Sequence, residues 1–329
     1  MTADASPMPT QVRSPYGRVT VGDPALSADG RLDGANVVHS SGGAGEMGPT
    51  GRPLPAFPVP PPVATHGAGW VVAMCNQKGG VGKTTSTINL GAALAEYGRR
   101  TLLVDFDPQG ALSVGLGINP MVLERTVHDL LVGGEGEIGE VIVPTQVDGL
   151  DLLPSNIDLS AAEMLLVTEV GREHTLARAL ASIRSEYDVI LIDCQPSLGL
   201  LTVNALTAAD AVIVPLECEY FALRGVALLL DTIDKVRDRL NPRLELAGIL
   251  ATMYDARTLH AREVLARVVE RFPDEVFHTV ISRTVRFPET TVAGEPITTY
   301  APTSVGADGY RRLARELMAR HGAPPVIQR

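Results

Sequence analysis

The segment CNQKGGVGKTTST (75–87) restricts this chain more than any other. It follows an apolar run, WVVAMC (70–75), and opens a helical pattern that continues to about residue 97. A glycine-rich turn between a buried strand and a helix N-terminus is the setting of a phosphate-binding loop. Gly79, Gly80 and Gly82 let backbone N–H groups turn inward on phosphate oxygens, and the helix adds its positive end. The expected nucleotide-binding set is Gln77, Lys78, Gly79, Gly80, Val81, Gly82, Lys83, Thr84 and Thr85. Lys83 is spaced to reach the β- and γ-phosphates, and the Thr84 hydroxyl to ligate Mg²⁺. A glycine-rich turn without a nucleotide does not account for a complete GKT in this setting.

Lysine is scarce elsewhere. Of 28 basic residues only Lys78, Lys83 and Lys235 are lysines. Two of the three stand five residues apart among glycines, which marks a site for a compact ammonium rather than a planar guanidinium. The first position of the strict Walker pattern is a glycine. Here it is Gln77, with Lys78 following as an extra cation.

Beyond the loop, short apolar runs alternate with helical patterns. TLLVD (101–105), LDLLPS (150 onward), VILID (189–193), AVIVPL (211–216) and LAGILATM (246–253) read as strands. FHTVIS (277–282) reads as an edge strand. A helix is expected from about Leu159 with Ser160 as its cap, and a final one over 307–320. Nearly continuous apolar strands separated by helices predict an α/β fold, a mainly parallel sheet covered by helices on both faces. Residues 67–329 form this single domain. Residues 1–66 differ, with 11 prolines and 9 glycines. That composition predicts a disordered Pro/Gly-rich tail, with PLPAFPVPPPV (53–63) extended. Its role stays open between a solubilising extension and a partner-binding segment.

Apolar runs of about ten residues are too short to span a bilayer. The N-terminus lacks a charged region followed by an apolar one, so the expected compartment is the cytoplasm. Three cysteines, Cys75, Cys194 and Cys218, give neither a disulfide framework nor metal-ligand spacing. Cys75 and Cys194 read as small core residues.

Two acidic segments complete the chemistry. LLVDFDPQG (102–110) carries Asp105 and Asp107 on one face of an extended segment. Both could approach the phosphate end of the sheet; Asp107 could instead cap the following helix, and Asp105 reads as structural or outer-shell. VILIDCQPSLG (189–199) ends an apolar strand in Asp193, as a Walker B element does, and its carboxylate would hold Mg²⁺ through water and orient Thr84.

KGGVGKTT (78–85) resembles the deviant Walker A motif of the ParA/MinD group of P-loop ATPases. LPSNIDLSAAE, SLGLLTVNALTAAD, PLECEYFALRG, TMYDART and TVRFPET…GEPITTYAPTSVGADGY are similar to its chromosomal ParA/Soj branch, covering residues 70–320. The resemblance implies a P-loop NTPase fold, ATP and Mg²⁺ as cofactors, and ATP hydrolysis. It makes Lys78 the signature lysine, which contacts ATP held by the other subunit of a sandwich homodimer. Catalytic roles then fall to Lys78, Lys83 and Asp107. The family usually reads DCPP where this chain has Gln195, a side chain able to reach water near the γ-phosphate. Where the family has PRNVR, this chain has Ser282-Arg283-Thr284-Val285-Arg286, so Ser282 and Thr284 are the candidate adenine contacts.

The same resemblance implies non-specific DNA binding in the ATP state, a ParB-like centromere-binding partner and a place on the nucleoid. By position the DNA contacts are Arg257, Arg283 and Arg286, each of which could instead be an ordinary surface or salt-bridged group. A formal charge of −10 argues against a chain coated in DNA-binding charge, so contact would rest on these few arginines, doubled by dimerisation. MinD-like relatives end in a membrane helix. Here Leu313, Leu317 and Met318 share one side and Gly322, Pro324 and Pro325 stop the helix, which reads as docked, with no membrane partner. Two other functions fit the same chemistry: a regulator of replication initiation or of a condensin-like complex, and an ATP-dependent ligase of the dethiobiotin synthetase type.

Overall fold

All five residues of Trp70–Met74 are buried, and they form β1 inside a seven-stranded sheet ordered β3–β4–β2–β5–β1–β6–β7. The computed structural model describes residues 47–63, 65–67, 69–133, 137–219 and 222–321. The other strands are β2 (Thr101–Phe106), β3 (Val143–Pro144), β4 (Leu150–Leu153), β5 (Val189–Cys194), β6 (Ala211–Glu217) and β7 (Glu245–Thr252). Every pairing is parallel except that of the short edge strand β3 with β4.

Alternate side chains of the central strands enter two separate cores. Val71, Ala73, Val104, Ile190 and Ile192 pack under α3 (Val127–Leu131), α4 (Leu159–Leu165), α5 (Thr175–Ala181), α6 (Leu200–Ala208), α7 (Ala222–Arg239) and α8 (Leu259–Arg271). Val72, Met74, Leu103 and Leu191 face the opposite way. They meet α1 (Lys83–Glu96), α2 (Ala111–Gly115), α10 (Ile297–Tyr300) and α11 (Val305–His321), with α9 (Arg286–Ala293) alongside. Burial on both faces explains why these strands read as unbroken apolar runs. In α11, Leu313 and Leu317 are buried and Met318 packs beside them, so its apolar side is covered by the protein itself. Among the described residues no helix is long and apolar enough to cross a membrane.

Two local expectations need correction. FHTVIS does not form a continuous strand; isolated bridges stand only at Val276, just before it, to Ile249 of β7, and at its last residue Ser282, to Tyr254. The backbone N–H groups of His278 and Thr279 instead donate to the buried carboxylate of Glu316 in α11, at 2.7 and 2.8 Å. A side chain from another element thus replaces part of the ladder. Ser160 is not the cap of α4. The N-cap is Asp158, and a preceding turn already satisfies the first donors, with Leu159 N bonded to Asn156 O and Ser160 N to Ile157 O.

Of the Pro/Gly-rich stretch, residues 1–46 lie outside the described residues, while 47–63 and 65–66 run along the domain. Arg52 donates to the carbonyls of Pro273, Val276 and Phe277. Arg99 and Arg312 donate to the carbonyls of Pro61 and Pro55. His66 meets Asp188 at 2.7 Å. Prolines offer carbonyls without competing donors, so arginines of the domain can bind this extended segment.

Candidate active site

The order β2–β5–β1 puts the C-terminal ends of three strands side by side, and each of the three sequence motifs begins at one of them. Register pairs Met74 with Asp193 and Asp105 with Asp193, so the two carboxylates are neighbours just below the start of the glycine loop. Gly80 and Gly82 have φ of 75° and 82°, a left-handed backbone open to glycine. Gly82 is also the N-cap of α1 and supplies no side-chain cap, which leaves the first N–H groups of the helix free for an anion. The loop is clamped from beneath. Thr252 Oγ1 donates to Val81 O at 2.8 Å, and Asn76 joins Pro215 O at 2.7 Å to Lys78 N at 2.9 Å.

The two loop lysines take opposite positions. Lys83 is buried and its Nζ folds back to Lys78 O at 3.2 Å, inside the cradle that phosphates would enter. The Lys78 side chain is 47% exposed and turns away, to Glu219 at 2.5 Å and Glu217 at 3.1 Å.

Asp193 is fully buried and neither of its oxygens has a hydrogen-bond partner. Burial first, then the charge of Asp105, pushes its pKa up to about 8, against the pull of the neighbouring Thr84 hydroxyl and Lys83. An unpartnered carboxylate beside a hydroxyl is a hard-oxygen donor set suited to Mg²⁺. When bound, the ion would neutralise charge on the phosphate oxygens. Asp105 is occupied otherwise. Its Oδ2 accepts from Ser113 N at 2.9 Å and Ser113 Oγ at 2.7 Å, tying β2 to α2. One of its oxygens is thus committed to holding α2 against the sheet. Burial raises its pKa to about 7 despite the Ser113 bonds.

Asp107 is half-buried, and Oδ1 accepts from Gln109 N at 3.0 Å in a tight turn. It does not cap α2, whose N-cap is Gly110. Gln195 stands after β5 with its Nε2 buried and unpartnered, a donor available to water or phosphate.

Past the loop lies a cavity of about 290 Å³ whose walls include Gly82, Thr85, Met253, Thr284, Phe287 and Tyr310. Thr284 is on its wall; Ser282 bridges Tyr254 and is not. Met253 has φ 50°, the left-handed region that a side chain enters at a cost of roughly 1–2 kcal/mol. Sequence reading missed Thr252, Met253, Phe287 and Tyr310. They lie in segments quoted for the family resemblance, TMYDART, TVRFPET and SVGADGY, but nothing local assigns them to the nucleotide loop; the fold brings them there.

The three arginines are exposed, and each is already paired: Arg257 with Asp255 at 2.7 Å, Arg283 with Glu217 and Arg286 with Glu289, both at 2.9 Å. The Arg257 and Arg286 pairs are surface contacts that contribute little to stability, whereas Arg283 is held by the mostly buried Glu217.

Comparison with known proteins fits this geometry. Residues 69–246 match the AAA domain family. The chromosome-partitioning ATPase Soj of Treponema pallidum is 51% identical over 254 residues, covering 77% of this chain and 99% of the relative. The chromosome partitioning protein ParA of Caulobacter vibrioides is 48% identical over 252 residues, covering 76% and 94%. This chain belongs to the ParA/Soj family of P-loop ATPases. Among solved structures, cobyrinic acid a,c-diamide synthase from Mycobacterium smegmatis, with bound ADP and magnesium, is 46% identical. It matches with a TM-score of 0.68 over 77% of this chain and 95% of that one.

As a ParA/Soj ATPase the protein uses ATP and Mg²⁺, and its buried carboxylates set a pH dependence. Folded Asp105 and Asp193 keep their protons to about pH 7 and 8, whereas unfolded aspartates release theirs near pH 4. Between about pH 4 and 8 the native state binds more protons, so stability falls as pH rises, by up to about 1.4 kcal/mol per pH unit for each group. Urea midpoints of the nucleotide-free protein should drop across this window, and Asp193→Asn should flatten the upper part. A midpoint rising from pH 5 to 8 would contradict the assignment.

Proposed function

We propose that this ATPase is an assembly switch. ATP, held with Mg²⁺, joins two copies in a sandwich homodimer, and the pair holds DNA without sequence preference. A ParB-like partner accelerates hydrolysis, and the cycle positions chromosomal origins on the nucleoid, in the cytoplasm. The observation that carries this reading is Lys78. Lys83 occupies the inner side of the loop, while Lys78 stands half-exposed outside it, available to a nucleotide beyond its own protomer. The names of the relatives from Treponema pallidum and Caulobacter vibrioides support the process. A ligand that joins two copies only when its γ-phosphate is present discriminates between assembly states, as a switch must.

In this reading residues 77–85 would hold the phosphates, Thr84 and Asp193 would hold the ion, and Thr284, on the cavity wall, would face the base, with Ser282 off that wall. Asp107 positions the attacking water. Asp107→Ala should therefore keep ATP affinity while hydrolysis falls about tenfold or more. Equal turnover would remove Asp107 from the reaction. Arg257, Arg283 and Arg286 exchange their carboxylates for DNA phosphates. Replacing all three with alanine removes six contacts per dimer and should lower the slope of log affinity against log salt by up to about 5. Undiminished retention of a random duplex in ATP would refute these contacts.

The test of the whole reading is ATP hydrolysis measured with neither, either and both of a random DNA duplex and the ParB-like protein. Synergistic stimulation is the expected result. A second reading, amidation or ligation of a small carboxylate, is favoured by the name of the Mycobacterium smegmatis structure. Hydrolysis stimulated by a small carboxylate and indifferent to DNA would favour it.

A further inference from the structure

Glu217, the last residue of β6, carries two cations from distant parts of the chain. Its Oε2 meets Lys78 Nζ at 3.1 Å and its Oε1 meets Arg283 Nη2 at 2.9 Å. The Glu217 side chain is 15% exposed and fixed at a strand end, whereas Lys78 and Arg283 are 47% and 61% exposed. Glu219, two residues on, holds Lys78 from the outer side at 2.5 Å. Two cations and two carboxylates thus neutralise each other on the rim of the nucleotide loop.

We propose that Glu217 is a positioning residue that restrains Lys78 in the nucleotide-free protomer and thereby sets how much ATP is needed for dimerisation. The proposal rests on the reading of Lys78 given above. A lysine that must reach a second copy's phosphates has to leave both carboxylates first, and that loss is subtracted from what the new contact contributes. Arg283 competes for the same carboxylate. Removing Arg283 leaves Glu217 to Lys78 alone and strengthens the restraint; neutralising Glu217 releases it. The two changes therefore act in opposite directions, which a residue serving only to fold β6 would not produce.

The scarcity of lysine makes the restraint measurable. Lys78, Lys83 and Lys235 are the whole set. Lys83 is buried and Lys235 is an exposed internal standard, paired with Asp231. The nucleotide-free full chain is pulsed with acetic anhydride and the acetylation of Lys78 relative to Lys235 read by mass spectrometry. ATP is then titrated against dimer mass by light scattering, without DNA. Glu217→Gln keeps size and one acceptor oxygen, removes the charge and turns the second acceptor into an N–H donor, so it cannot hold Lys78 and Arg283 at once. It should raise relative acetylation of Lys78 about two- to fivefold and lower the half-saturating ATP by a similar factor, the range of a weak surface pair. Arg283→Ala should shift both the other way. Unchanged acetylation in Glu217→Gln, or shifts of the same sign in both variants, overturns the proposal. Raised acetylation with no dimer in ATP for either wild type or variant upholds the restraint and refutes the switch.

Discussion

Lys83→Ala should lose ATP affinity by about a hundredfold or more. A charge-assisted hydrogen bond to phosphate accounts for roughly ten- to a hundredfold by itself, and more where water is excluded. Lys83 meets that condition, being buried at the first turn of α1 with its Nζ inside the loop. In the nucleotide-free fold the amine is held by one carbonyl, that of Lys78, so truncation takes little from stability. Isothermal titration calorimetry with ATP and Mg²⁺ reads the loss, and a thermal melt near wild type certifies the fold. Lys83→Arg should recover only part of the affinity, because a planar fork cannot replace a point charge in a loop this closed. Wild-type affinity in Lys83→Ala would remove the loop from nucleotide binding altogether.

Lys78→Ala should separate binding from assembly. Among the described residues its ammonium pairs with Glu217 and Glu219, outside the loop, so one protomer should bind ATP almost normally. In a two-fold sandwich each subunit lends its lysine to the other, and the loss is counted twice. Even at the low end of a charge-assisted bond, about tenfold each, the dimer dissociation constant rises about a hundredfold. Light scattering in saturating ATP should give monomer mass for the variant and dimer mass for the wild type. A variant dimer would refute the role across the interface. Together the variants test two jobs for one pair of lysines five residues apart.

Much of the nucleotide site was readable because its parts are local. Gly80 and Gly82 need a left-handed backbone, and the chain has glycine there. Lys83 and Thr84 follow at fixed spacing, Asp193 lies at the end of an apolar strand and Asp107 just after another. The elements that misled are those settled by distant residues. FHTVIS has strand composition, yet Glu316, nearly forty positions later, takes two of its backbone donors. The polyproline segment reads as extended by composition, and only the fold shows that Arg99 and Arg312 of the domain donate to its carbonyls.

By itself the sequence determined the phosphate loop, the parallel α/β class and the candidate ion ligands, because each depends on the conformation of adjacent residues or on strand periodicity. Only the tertiary structure decided that β2, β5 and β1 lie together, that Asp105 serves Ser113 while Asp193 stays unpartnered, and that Glu217 holds Lys78 and Arg283 at once. These are pairings across the sheet between residues far apart in the chain. Their partners are chosen by which strands pack side by side, a quantity no local pattern carries.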